Sequence, residues 1–233
     1  MRPSELLFGD VHVVVTTRDD GDQRPKERAT MARSGREDMY KEMDGWTSVH
    51  QVHGARVVVV KQRVGALDLD ADAIVTVQPS VPIGVLGADC SLIGLIGREG
   101  VIGVVHSGWR GLLAGVIEQT IDQMRALGSG SIEAIIGPTI GPECYAFSPG
   151  DLVPIVERFG ASVHGRTADG GDALDLVEGV TRSLIRAGVE RHTRLGGCTS
   201  CDARFYSWRA HQDEERHALV MWRDRAALNE KCS

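Results

Sequence analysis

The chain has 233 residues, with 26 Lys plus Arg against 32 Asp plus Glu, a net charge of −6 and 42% apolar content. A chain of this length can bury a full core without disulfide staples, and its apolar content excludes intrinsic disorder. The acidic balance and the 5% aromatic content exclude a basic nucleic-acid surface and a stacking platform for single strands.

The first ten residues carry Arg2, Glu5 and Asp10 and lack the apolar core of a secretory signal. A β-branched run at 11–15 predicts the first strand. Residues 18–44 are rich in charge and poor in large aliphatics, and read as a loop or a weak helix. Strand-length runs follow at 57–60, 73–77, 83–86, 92–96 and 101–105. A helix is predicted over 112–127, where Leu113, Val116, Ile117, Ile121, Met124 and Leu127 recur at helical spacing. A strand at 132–136 comes next, then a short helix over 149–159. A further helix over 173–187 carries Leu174, Val177, Val180, Leu184 and Ile185 on one face. The last strand is at 218–222. No run approaches the roughly 20 apolar residues of a membrane span. No shift in composition divides the chain. The expected fold is α+β: a single-domain α/β sandwich with mixed β-sheets and outer helices over 1–233. Five cysteines are an odd number, which fits free thiols in a reducing, cytoplasmic setting.

Three short groups carry candidate chemistry. They are Gln51-Val52-His53-Gly54, Gly87-Ala88-Asp89-Cys90 and His106-Ser107-Gly108-Trp109-Arg110-Gly111. Each puts a His or Cys beside a glycine at a strand end, where sites are commonly built. Two imidazoles and a thiolate make a three-ligand set for zinc, with the fourth position left for water or substrate. The alternative is a buried Cys90 with ordinary loop histidines at 53 and 106. Arg110 lies near the predicted start of a helix, where an arginine fork and free N–H groups suit an anion. A surface or salt-bridged arginine is the plainer reading. His50 reads as a bystander. The turn-rich loop 137–145 either lines a pocket or only reverses the chain. Cys198-Thr199-Ser200-Cys201 is a lone CxxC and reads as structural or incidental.

These elements, in this order, resemble the YfiH/laccase-domain family: QVHG at 51–54, ADC at 88–90, HSGWRG at 106–111, IGPTIGPECY at 136–145 and CTSCDARFYSWR at 198–209. The resemblance spans about 50–222 and leaves 1–49 as a divergent part, where Thr16-Thr17-Arg18-Asp19-Asp20-Gly21 matches the family's arginine but only half of its glycine pair. It implies zinc ligands at His53, Cys90 and His106, with copper a less fitting ion. It implies phosphorolysis of adenosine, inosine or methylthioadenosine, with adenosine deamination as an associated activity. The implied partners are a purine nucleoside and phosphate, with no nucleic acid and no membrane, in a monomer or small homo-oligomer.

On this reading Arg110 and Arg18 are the candidate phosphate or substrate contacts. Asp89, next to Cys90, is a candidate catalytic group that orients a ligand or shuttles a proton; buried structural pairing is the alternative. A competing mechanism uses the same residues without metal. There Cys90 is the nucleophile and His106 its base, in a cysteine hydrolase acting on an amide or a cell-wall peptide precursor. A multicopper oxidase needs several copper centres, which a chain with 8 histidines and no His-x-His pair cannot build alone.

Overall fold

The structure, a computed structural model, describes residues 4–25 and 45–224. The hairpin β1 (Ser4–Phe8) and β2 (Val11–Val15) opens the chain. Four short strands follow: β3 (Ser48–His50), β4 (Val57–Val59), β5 (Ala66–Asp70) and β6 (Ala73–Thr76). Next come β7 (Ile83–Gly87), β8 (Ser91–Gly97) and β9 (Ile102–Ser107). Helices α1 (Trp109–Ala114) and α2 (Val116–Ala126) lead to β10 (Ile132–Ile136). The rest is α3 (Pro149–Phe159), β11 (His164–Arg166), β12 (Asp172–Leu174), α4 (Leu176–Arg186), β13 (His192–Arg194), α5 (Trp208–His211) and β14 (His217–Arg223).

Two main sheets lie face to face. One has the order β1-β2-β14-β7 and is antiparallel throughout. The other has the order β13-β10-β8-β9-β6-β4, with parallel pairs at both edges. Val13, Val15, Ile83, Leu219 and Met221 of the first sheet meet Leu92, Ile102, Val104 and Ile135 of the second. The opposite face of the second sheet presents Ile93, Leu95, Val105 and Ile136. Onto it pack Ile117, Ile121 and Met124 of α2, and Leu176, Val180 and Leu184 of α4. The period of two along β8 therefore feeds two cores, one between the sheets and one under the helices. This is the mixed α/β architecture with outer helices that the sequence implied.

Two helices differ from the sequence reading. The helix expected over 112–127 starts earlier, at Trp109, and is split by Gly115, which sits at φ 85° in the left-handed region. The helix expected over 173–187 starts at Leu176, capped by the Asp175 side chain, which accepts from the Glu178 N–H at 2.9 Å. Ala173 and Leu174 belong to β12 instead, paired with β11. The loop or weak helix expected over 18–44 lies largely outside the described residues; its described start, Arg18–Asp20, is a 3-10 turn. No helix among the described residues is long and apolar enough to cross a membrane.

The strands fix where loops meet. Antiparallel pairing sets Leu92 of β8 opposite His106 of β9, and Val105 of β9 opposite Ala73 of β6. The end of β9, the start of β6 and the turn before β8 thus share one end of the sheet. The loop after β3 returns to the same end.

Candidate metal centre

The residue that organises this end is Asp72, directly before β6. It is fully buried. Its Oδ1 accepts from the His53 N–H at 2.9 Å, and its Oδ2 accepts from Gly54 at 2.7 Å and Val52 at 3.3 Å. The 52–54 loop has no strand partner for these amides, so the carboxylate takes that place. His53 is thereby held at φ 59°. Such a conformation costs a non-glycine residue on the order of 1–3 kcal/mol and persists only where its surroundings enforce it. Asp72 Oδ1 also lies 2.8 Å from His106 Nδ1, and the His106 N–H donates to the Asp72 carbonyl at 2.7 Å. One carboxylate therefore sets the orientation of both histidines. Burial pushes its pKa up, but His106 and the loop amides outweigh that and hold it below the ordinary carboxylate range.

Cys90 enters from the turn between β7 and β8. Its Sγ lies 3.8 Å from His53 Nε2. The His53 and His106 rings meet edge to face, 4.8 Å between centroids. Donor atoms of His53, Cys90 and His106 all lie within 4.8 Å of one another. Gly108 makes room for them. A Cβ there would fall 2.8 Å from His53 Cδ2 and 2.9 Å from Cys90 Sγ. Burial raises the Cys90 thiol, yet His106 and His53 outweigh it and bring the pKa down to about 6. Burial lowers His106, yet the Cys90 thiolate and Asp72 raise it to about 9. Each group thus favours the charged form of the other. Two imidazole nitrogens and a thiolate fit a borderline-soft cation that keeps an open position. A carboxylate on the far nitrogen of a ligating histidine is the outer contact such sites use.

The group opens into a cavity of about 720 Å³. Arg110, Arg209 and Arg216 line it, with Trp109, Trp208 and Tyr145. The Arg110 guanidinium lies 4.2 Å from the Trp109 ring centroid, and that of Arg209 lies 4.7 Å from the Tyr145 ring. Gln51 closes one wall, its amide bonding both the Leu86 N–H and the Leu86 carbonyl at 2.8 Å. Burial, then the charge on Cys90, raises the Tyr145 phenol above its ordinary value.

The structure brings His53, Cys90 and His106 together and places Asp89 and Arg110 on the cavity. Asp89 does not face the ligands with a spare oxygen. Its Oδ1 accepts from Thr199 Oγ1 and its Oδ2 from the Arg209 N–H, both at 2.7 Å. These two bonds match the structural pairing read as the alternative to proton transfer. Arg18 lies outside the cavity lining. Its Nε donates to the Phe205 carbonyl at 2.9 Å and its guanidinium pairs with Asp213. Arg110 sits in the first turn of α1, a helix of six residues. Gly108 is the N-cap of that helix, so Arg110 lies where the sequence reading placed it, beside the first-turn amides. His50 lines the cavity but its Nδ1 is paired with Asp70 at 2.7 Å. Sequence reasoning missed Asp72, Arg209 and Trp208. A signal for Asp72 exists in Asp70-Ala71-Asp72-Ala73: a carboxylate entering a fully buried strand needs a buried partner.

A family model described as multi-copper polyphenol oxidoreductase laccase matches residues 4–224. The chain belongs to that family. A Xylella fastidiosa protein named purine nucleoside phosphorylase is 34% identical over 184 residues, which are 75% of this chain and 70% of that one. A Streptomyces coelicolor protein of the same name is 33% identical over 180 residues, 76% of this chain and 74% of that one. Among solved structures, YlmD from Geobacillus stearothermophilus superposes with a TM-score of 0.79 at 24% identity, covering 93% of each chain. YfiH from Bacillus licheniformis gives 0.77 at 21% identity, covering 96% of this chain and 97% of that one. These structures share the fold of the laccase-like family member described here.

Proposed function

We propose that this protein is a metal-dependent purine nucleoside phosphorylase with zinc held by His53, Cys90 and His106. The observation that carries the reading is this three-donor group opening into a cavity lined by arginines and aromatic rings. Relatives named purine nucleoside phosphorylase at 33–34% identity support it. Zinc, when bound, would supply Lewis-acid stabilisation of developing charge. Asp72 holds His106 in the tautomer that turns Nε2 toward Cys90. Arg110 and Arg209 offer positive charge to phosphate, and Arg209 takes the role expected of Arg18. Trp109, Trp208 and Tyr145 offer apolar faces to the purine. In the reaction the C1′–N9 bond breaks, a phosphate oxygen bonds to C1′, and the purine leaves with a proton. Adenosine, inosine and methylthioadenosine share that bond. The free cysteines fit a cytoplasmic setting.

Product analysis tests this. Adenosine with metal-loaded protein should give adenine and ribose 1-phosphate only when phosphate is present. Inosine as the product would place deamination at C6 instead. No base release with metal and phosphate supplied would overturn the reading.

One observation favours a second reading. Cys90 lies within 4.8 Å of a His106 nitrogen, and Asp72 holds the other His106 nitrogen at 2.8 Å, a Cys-His-Asp grouping that a cysteine hydrolase could use. That enzyme would act on an amide after removal of metal, and alkylation of Cys90 would stop it.

A further inference from the structure

The described residues contain a second donor group that the proposed reaction does not use. The 3-10 turn Pro142–Cys144 brings Glu143 and Cys144 against the Cys198-Thr199-Ser200-Cys201 turn. The donor atoms of Glu143, Cys144, Cys198 and Cys201 all lie within 4.8 Å of one another. Cys144 Sγ and Cys201 Sγ are 3.4 Å apart, and Cys201 Sγ is 3.8 Å from Glu143 Oε1. Tetrahedral zinc with arms of about 2.3 Å sets sulfur donors about 3.8 Å apart.

Burial and the Glu143 carboxylate raise the Cys198 thiol, while backbone amides converge on its sulfur. The Gly141 N–H donates to Cys198 Sγ at 3.1 Å, and the N–H groups of Ser200 and Cys201 also bond that sulfur. The N–H groups of Cys201 and Asp202 both donate to the Cys198 carbonyl, at 3.2 and 3.0 Å, closing a tight turn that sets the two thiols side by side. Amides donated to a sulfur favour its anionic, metal-bound form. Gly141 leaves space for the carboxylate: a Cβ there would fall 2.3 Å from both Glu143 oxygens.

We propose that Glu143, Cys144, Cys198 and Cys201 form a closed structural site for a thiophilic divalent cation, zinc by its donor set. Three sulfurs and one carboxylate fill a tetrahedron and leave no position for substrate. The two donor groups share no residue, and this proposal does not rest on the phosphorylase reading. The ion's task follows from its neighbours. Tyr145, next to Cys144, lines the cavity. Thr199, between the two turn cysteines, holds Asp89 beside Cys90. The site therefore ties the loop that carries Tyr145 to the turn that holds Asp89, 57 residues apart in the chain between Cys144 and Cys201. The expected CxxC reading, structural or incidental, becomes structural with a stated ligand. The competing chemistry is a Cys144–Cys201 disulfide, which needs an external oxidant.

The test uses the full chain prepared under reducing conditions, with His53→Ala and Cys90→Ala removing the first site. After dialysis, this variant should retain one zinc per chain by native mass spectrometry. Cadmium in place of zinc should give a thiolate charge-transfer band. Adding Cys198→Ser should abolish both signals. Glu143→Gln, which keeps all three sulfurs, should weaken zinc binding at least tenfold while the fold persists. Zinc should also protect Cys144, Cys198 and Cys201 from alkylation in the first-site variant. A first-site variant without zinc, zinc retained after Cys198→Ser, or a chain two hydrogens lighter from a Cys144–Cys201 disulfide would each overturn the proposal. Failure of base release with this ion retained would count against the phosphorylase reading alone.

Discussion

Asp72 Oδ1 lies 2.8 Å from His106 Nδ1, and both side chains are buried. The same carboxylate holds the amides of Val52, His53 and Gly54. Asp72→Asn keeps the shape but loses the charge and part of this acceptor set. Metal affinity should fall by about 10–100-fold, the usual cost of losing an outer contact to a ligating histidine. Isothermal titration of zinc into the metal-free variant measures it. Unchanged affinity would mean that His106 is positioned by its strand alone.

Gly108 has an ordinary φ of −78°, so a side chain there costs no backbone strain. What it costs is space between His53 and Cys90. Gly108→Ala should lower occupancy of the His53–Cys90–His106 group and activity by at least tenfold while circular dichroism stays that of the wild type. A fully loaded Gly108→Ala protein would show that the two ligands do not need this spacing.

Arg110 and Arg18 separate binding from support. Losing a charged hydrogen bond costs roughly 1.5–3 kcal/mol, so Arg110→Gln should raise the KM for phosphate by about 10–100-fold. KM for the nucleoside should move less. Arg18→Gln breaks its contacts to Asp213 and Phe205 outside the cavity. It should lower Tm and leave the phosphate KM near the wild-type value. Equal effects of the two substitutions on that KM would contradict the placement.

In the metal-free protein the Cys90–His106 pair has its own pH signature. Cys90 is depressed from 9.0 to about 6, so its contribution to stability is complete above 9 and is lost as pH falls through about 6. His106 is raised from 6.5 to about 9, so its contribution is complete below 6.5 and is lost as pH rises through about 9. The ion pair thus stabilises the metal-free fold most between about 6 and 9. Iodoacetamide should alkylate Cys90 with a half-maximal rate near pH 6. A midpoint near 9, as for an ordinary thiol, would remove the ion pair. Zinc should suppress the alkylation across that window, because the metal takes the thiolate.

Much of the fold was legible because buried strands such as β8 and β9 are almost wholly apolar. The strands that escaped are short or amphipathic at the surface. β5 reads Ala66-Leu67-Asp68-Leu69-Asp70 with alternate residues exposed, and β13 is exposed throughout. The break at Gly115 was invisible to periodicity, since apolar spacing continues across it. The three converging donors were legible because His53, Cys90 and His106 each sit in a short motif at a strand end. Asp72 and Arg209 were not. Their roles depend on what sits across the sheet end, 34 residues from Asp72 to His106 and 120 from Asp89 to Arg209. Glu143, Cys144, Cys198 and Cys201 escaped for the same reason: a lone CxxC carries no signal until folding supplies the other two donors.

The most direct test of the central claim measures zinc content and adenine release on the same samples of wild type and Cys90→Ala, with adenosine, with and without phosphate. The wild type should release adenine only with phosphate, and Cys90→Ala should lose one zinc per chain together with that release. Undiminished, phosphate-dependent release by Cys90→Ala would contradict the claim that His53, Cys90 and His106 hold the ion the reaction needs.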